Sequence, residues 1–214
     1  MIRLQLGMNK KYIFLGIGLS IVLIAGVFVA NQQVVQPLLD DRMIEDVVGA
    51  SIVVEEYDFA FKYPSGVEGF ALIEPPVATT SQSLKKAYLM FEYSRYIKYQ
   101  SAEAGSQTPP AVSVFVFALP EKTAAETGSR SERLLQWINE NPQYTSFNKK
   151  VGETTEVEID GASAIKYSTA GFFNQDFHIV SYSGNAYVFA NQYEDVDDTN
   201  VAMYNDLINS VTFY

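Results

Sequence analysis

Residues 155–193, TEVEIDGASAIKYSTAGFFNQDFHIVSYSGNAYVFANQY, decide the architecture. Val157 and Ile159 alternate with Glu156 and Glu158, and Asp160-Gly161 then interrupts the run. Residues 164–169 resume the two-residue period of a half-buried strand. Asp-Gly between two alternating runs is a strong hairpin signal, because both residues tolerate the positive φ that a tight turn needs. Residues 172–182 and 187–193 are two further runs rich in aromatic and β-branched side chains, separated by Ser183-Gly184-Asn185. The stretch therefore predicts an antiparallel meander of four strands.

Upstream, Ser129 and Glu132 stand at capping-box spacing before Leu134, Trp137 and Ile138, and Asn141-Pro142 closes the segment. This predicts a helix whose apolar stripe lies on the sheet, with the lone tryptophan in the core. Residues 112–119, VSVFVFAL, have scarcely a polar side chain and predict a central strand covered on both faces. Residues 101–110, SAEAGSQTPP, read as a surface loop. In residues 84–99, Leu89, Phe91 and Tyr93 alternate while Leu84, Tyr88, Phe91 and Arg95 keep helical spacing; a strand through Tyr93 and a helical turn after it is the reading preferred. Tyr57, Phe59, Phe61 and Tyr63 mark an early strand ended by Pro64-Ser65-Gly66, and residues 70–73 a second one stopped by Pro75-Pro76.

Downstream, Val201, Tyr204, Leu207, Ile208 and Val211 recur at three and four residues, the pattern of a terminal helix begun near Asp198 or Thr199. The fold class expected is α+β: an antiparallel sheet flanked by helices.

At the other end of the chain, residues 13–30, IFLGIGLSIVLIAGVFVA, are unbroken by any polar side chain but Ser20. As a helix the run spans roughly 27 Å at 1.5 Å per residue, close to a hydrocarbon core of about 30 Å. Arg3, Lys10 and Lys11 precede it and no acid does, so residues 1–12 are expected to stay in the cytoplasm as a basic tail. Ala30 suits the last position before a signal-peptide cut, but Phe28 is large and apolar where a small residue is wanted, which favours a retained anchor. Gly16 and Ser20 have the spacing that lets membrane helices approach, a spacing that a short run with three glycines produces easily. Residues 31–55 read as a linker, although 43–54 fit a short amphipathic helix or a first strand equally well, and residues 56–214 form the extracytoplasmic domain. The lipid bilayer is thus the first expected partner.

The chain has 25 acidic and 15 basic side chains; three of the bases precede residue 31, leaving 12 bases against 25 acids, a net −13, beyond the anchor. Such a domain is repelled by phosphate backbones, which excludes nucleic acid as the expected partner. With no cysteine, disulfides, thiolate nucleophiles and zinc-thiolate sites are excluded. An aromatic content of 14% assigns stability to packing of bulky side chains.

Signals for chemistry are sparse. His178 is the lone histidine, which rules out multi-histidine metal sites, and no Gly-x-Ser-x-Gly elbow accompanies it; a packed strand histidine is the expected role. Glu194, Asp195, Asp197 and Asp198 invite a calcium reading, but an EF-hand loop started at Asp195 has Asn200 where glycine belongs and Asp206 where glutamate belongs. Capping of the following helix explains these acids more simply. Acidic residues also permit a surface hydrolase, since glycosidase carboxylates keep no fixed sequence spacing. No phosphate-cradling loop occurs, and no cofactor is expected. Tyr88, Tyr93, Arg95, Tyr96 and Tyr99, with Lys98, are the candidate partner-contact residues, because exposed tyrosines beside cations make a rigid amphipathic patch suited to another envelope protein.

Several of these motifs, taken in order, resemble PsbP-type domains: FAFKYP at residues 59–64, the aromatic central strand, the tryptophan-bearing helix, EVEIDGASAIKY at 156–167 and the terminal NDLINSVTF at 205–213. The resemblance covers residues 56–214 at the level of element order and includes domains that bacteria carry behind one membrane helix. It implies an α/β/α sandwich around an antiparallel sheet and a non-enzymatic accessory or binding module. In photosynthetic members the domain supports a manganese-calcium centre from outside the membrane, but no motif here transfers that role to particular residues.

Overall fold

The computed structural model describes residues 51–66, 69–77, 83–93, 110–119, 129–171, 173–195 and 198–214. The apolar run 13–30 and the basic tail before it lie outside them. No helix among the described residues is long and apolar enough to cross a membrane.

The strands are β1 (Ser51–Glu56), β2 (Phe59–Pro64), β3 (Phe70–Ile73), β4 (Leu84–Glu92), β5 (Val112–Ala118), β6 (Lys150–Ile159), β7 (Ala162–Thr169), β8 (Asn174–Tyr182), β9 (Asn185–Tyr193) and β10 (Thr212–Phe213). The helices are α1 (Arg130–Glu140), the short α2 (Pro142–Thr145) and α3 (Thr199–Ser210). Seven strands make one sheet in the order β3-β4-β5-β9-β8-β7-β6, and β1, β2 and β10 make a second, small one. The named strand pairs are antiparallel, so the α+β class holds.

The meander forms as the alternation requires: β6 turns into β7 through Asp160-Gly161, and β8 into β9 through Ser183-Gly184. Strand β9 sits between β8 and β5 and is buried at every residue except Gln192. Strand β5 is covered on both faces. Val112, Val114 and Val116 join one apolar cluster, whereas Phe115 and Phe117 meet the other. That second cluster holds Leu134, Trp137 and Ile138 of α1, whose N-terminus carries the capping box between Ser129 and Glu132. The first cluster holds Tyr204, Leu207 and Val211 from α3 and its end, together with Phe59, Phe61 and Tyr63 of β2. The large sheet thus has α1 on one face, and α3 with the small sheet on the other.

Two boundaries differ from the sequence reading. The expected linker ends in β1, which pairs residue for residue with β2 from Ser51 opposite Pro64 to Glu56 opposite Phe59, so this strand belongs to the domain. Of the two readings open to residues 43–54, a short helix or a first strand, residues 51–54 take the strand, which periodicity in SIVVEE alone does not decide. Pro142, expected only to stop a helix, also starts α2, as its fixed φ suits a first helical position.

Candidate functional site

Strands β7, β8 and β9 and helix α3 bring together a set of polar side chains on one face of the large sheet. With a period of two, His178 shares the face of Val180 in the cluster beneath α3, and Asn191 that of Phe189. Ser168 pairs across the ladder with Asp176, and Asp176 with Asn191, so the three form a row. The Ser168 hydroxyl donates to Asp176 Oδ1 at 2.6 Å, and the Tyr193 hydroxyl donates to the same oxygen at 3.2 Å. One register step along, His178 Nδ1 lies 2.9 Å from the Tyr204 hydroxyl, which donates to the Phe189 carbonyl at 3.1 Å.

Burial sets the electrostatics of this group. It lowers the His178 pKa to about 4; Lys166, opposite it on β7, adds to that, while Asp176 opposes it. The imidazole is therefore neutral at ordinary pH. Burial also raises the phenols of Tyr204 and Tyr193, with Asp176 acting in the same direction on both.

Serine, histidine and aspartate do meet here, but not as a catalytic triad. A triad needs histidine to take the serine proton while the carboxylate holds the other ring nitrogen. Ser168 instead gives its proton directly to Asp176, and the described partner of His178 is Tyr204. The histidine is a packed strand residue.

Of the candidate contact residues, Tyr88 proves to be core. It is 0% exposed, its ring lies 5.8 Å from that of Phe61, and its hydroxyl donates to Glu56 Oε2 at 2.6 Å. Its position on β4 points it beneath the small sheet, so it leaves the surface patch. Beside it Lys86 bridges Glu56 at 3.0 Å and Glu74 at 2.8 Å. Partial burial works to raise the Glu56 pKa, but the Tyr88 and Lys86 contacts outweigh it and hold the carboxyl low. Tyr93 is half-buried just past β4, its backbone N–H donating to the Gly69 carbonyl at 3.0 Å. Arg95, Tyr96, Lys98 and Tyr99 lie outside the described residues.

Within the acidic segment, Asp198 caps α3 by accepting from the Asn200 amide at 3.0 Å. Glu194 and Asp195 are exposed, and Asp197 lies outside the described residues. No group of three or more histidine, aspartate or glutamate side chains among the described residues is arranged to hold a metal ion. Asn200 Nδ2 donates to Glu92 Oε1 at 2.6 Å, which ties the first turn of α3 to the end of β4.

Sequence reasoning singled out His178 and Asp198 but missed Ser168, Asp176, Asn191 and Asn200. A signal for two of these was present: Asp176 and Asn191, like His178, occupy positions that share a face with buried apolar residues of the same strands, where a polar residue is out of pattern.

Fold and site together define an α+β sandwich domain with a buried polar cluster between its sheet and its C-terminal helix. No family model matches the sequence, and no curated relative does. Among solved structures, the chain is similar to the cyanobacterial PsbP (CyanoP) of Synechocystis sp. PCC 6803, at 14% identity and a TM-score of 0.48, over 79% of this chain and 96% of that one. It is also similar to a protein of Bacteroides thetaiotaomicron VPI-5482, at 9% identity and a TM-score of 0.40, over 78% of this chain and 49% of that one.

Proposed function

We propose that the protein is a membrane-anchored extracytoplasmic accessory module that binds another envelope protein and catalyses no reaction itself. The observation that carries this reading is the succession in one chain of a basic tail, an apolar run at residues 13–30 and a remainder with net charge −13. Hydrocarbon-length apolarity inserts the run, and the lysines and arginine before it keep the N-terminus inside. The PsbP-type order of motifs supports the accessory role. Ser168 and His178 are engaged in bonds that fasten the fold, which removes the most obvious nucleophile and base. Tyr93, Arg95, Tyr96 and Tyr99 are the residues proposed to meet the partner.

The test has two arms. The full chain should sediment with membranes and resist alkaline extraction, its domain open to protease from outside, whereas a chain lacking residues 1–43 should be released. Affinity capture from detergent extracts should then enrich a partner that Tyr96→Ala with Tyr99→Ala weakens. A full chain found free in the cytosol would sink the anchor, and capture indifferent to both tyrosines would sink the contact.

A further inference from the structure

Asn191 and Asn200 are 0% and 1% exposed, and three of their four side-chain amide atoms have no hydrogen-bond partner among the described residues: Nδ2 and Oδ1 of Asn191, and Oδ1 of Asn200. Only Asn200 Nδ2 is paired, with Glu92. Buried side-chain amides are as a rule satisfied, because nothing in the interior replaces the water they gave up. Two such exceptions on the α3 side of the sheet point to a partner other than the described residues.

Both residues belong to one end of the sheet. Asn191 lies two residues along β9 from Phe189, whose carbonyl receives the Tyr204 hydroxyl, and Asn200 lies one helical turn before Tyr204. The Asn200–Glu92 bond fixes the direction in which that turn runs. Met90, Val112 and Asn191 are in register across β4, β5 and β9, and Glu92 is the next residue on the same face of β4. The two asparagines therefore belong to the same end of the sheet, on the face that α3 covers.

We propose that the two side chains face one another across a hydration site, in which one internal water bridges Asn191 and Asn200. The unpaired set consists of one donor and two acceptors, and exchanging the oxygen and nitrogen of Asn191 leaves that count unchanged. Its complement is a molecule with two protons to give and a lone pair to receive, which describes water, and buried waters average about three such bonds. A metal ion would satisfy the two oxygens but face the Asn191 N–H, a donor that repels it. The nearby carboxylate oxygens Glu92 Oε1 and Asp176 Oδ1 already accept bonds from the chain. The water fastens the start of α3 to the sheet where direct pairing of the side chains does not.

High-resolution diffraction from the full-length protein tests the site directly. The expected result is an ordered solvent peak within about 3.2 Å of at least two of the three atoms. The two amides bonded to one another, or no peak, overturns it. In solution, Asn191→Leu and Asn200→Leu should each lower the melting temperature by several degrees, since each strands the other's group. The double variant should lose less than the sum of the two, because it removes both stranded groups. Strict additivity, or a rise in the unmodified protein's melting temperature with millimolar calcium that Asn191→Leu abolishes, would overturn the water. Should the variants fail to fold, the diffraction result alone decides.

Discussion

His178 Nδ1 stands 2.9 Å from the hydroxyl of Tyr204, and that hydroxyl donates its proton to the Phe189 carbonyl at 3.1 Å. A phenol has a single proton to give. The first bond must therefore be supplied by the ring, which fixes the imidazole as its neutral Nδ1–H tautomer. A continuous chain of bonds runs from β8 through α3 to β9 and holds the C-terminal helix against the middle of the sheet.

A pH dependence follows. The folded His178 pKa is about 4, against about 6.5 in an unfolded chain. Between those values the unfolded chain binds a proton that the fold refuses. The contribution is complete above about pH 6.5, shrinks as pH falls, and is exhausted near pH 4; the full difference is worth about 3 kcal/mol. Denaturant melts at pH 7 and pH 4.5 should show most of that loss. Carboxyls such as Glu56, also held low, begin to add their own loss toward the acid end of this range. The decisive comparison is therefore with His178→Leu, whose stability should change much less over the interval; an equal slope in both proteins would refute the assignment.

Tyr204→Phe keeps the ring that packs on the sheet and removes only the hydroxyl. The variant strands His178 Nδ1–H in the interior, at an expected cost of about 1–3 kcal/mol. Equilibrium unfolding in urea at pH 7 checks the figure. A cost near zero would mean that the ring alone holds α3 in place.

The capping box of α1 gives a local test. The Ser129 hydroxyl accepts from the Glu132 amide at 3.1 Å, and the Glu132 carboxylate accepts from the Ser129 amide at 2.6 Å. Ser129→Ala should cost about 1 kcal/mol. Hydrogen exchange should quicken in the first turn of α1 before it changes in the sheet.

Local chemistry made much of this fold readable. The Ser129 cap, the Asp160-Gly161 turn and the stripe of Val201, Tyr204 and Leu207 each act within a few residues, so their spacing is sufficient signal. The jump that places β9 beside β5 is not local: α1, α2 and three strands intervene, and it is settled by which faces must be covered. Strand β1 stayed undecided between helix and strand for a related reason, since residues 51–56 become a strand by pairing with β2. The polar cluster was harder still. Ser168, Asp176, Asn191 and Asn200 come from four elements, and only the register that sets Ser168 opposite Asp176 and Asp176 opposite Asn191 makes them a group. Tyr88 misled for the converse reason, since a tyrosine just after Lys85-Lys86 reads as surface until β1 and β2 cover it.

The tight turns allow a prediction in which sterics and backbone conformation separate. Asp160-Gly161 has φ of 48° and 75°, Ser183-Gly184 has 45° and 74°, and Tyr57-Asp58 has 56° and 60°. In each turn both central residues have positive φ, the primed geometry whose twist matches the strands it joins. A Cβ added at Gly161 or Gly184 would meet nothing within 4 Å, so any cost of alanine there comes from the left-handed backbone alone. Gly161→Ala and Gly184→Ala should each destabilise by about 1 kcal/mol. At the β1–β2 turn the same position is held by Asp58, whose carbonyl accepts from the Tyr214 amide at 3.2 Å, a bond that glycine would keep. Asp58→Gly should therefore shift stability the other way, by about 0.5 kcal/mol, because relief of the left-handed strain slightly exceeds the added freedom of the unfolded chain. Thermal melts of the three variants check the signs; a destabilised Asp58→Gly would show that the aspartate side chain stabilises its own turn.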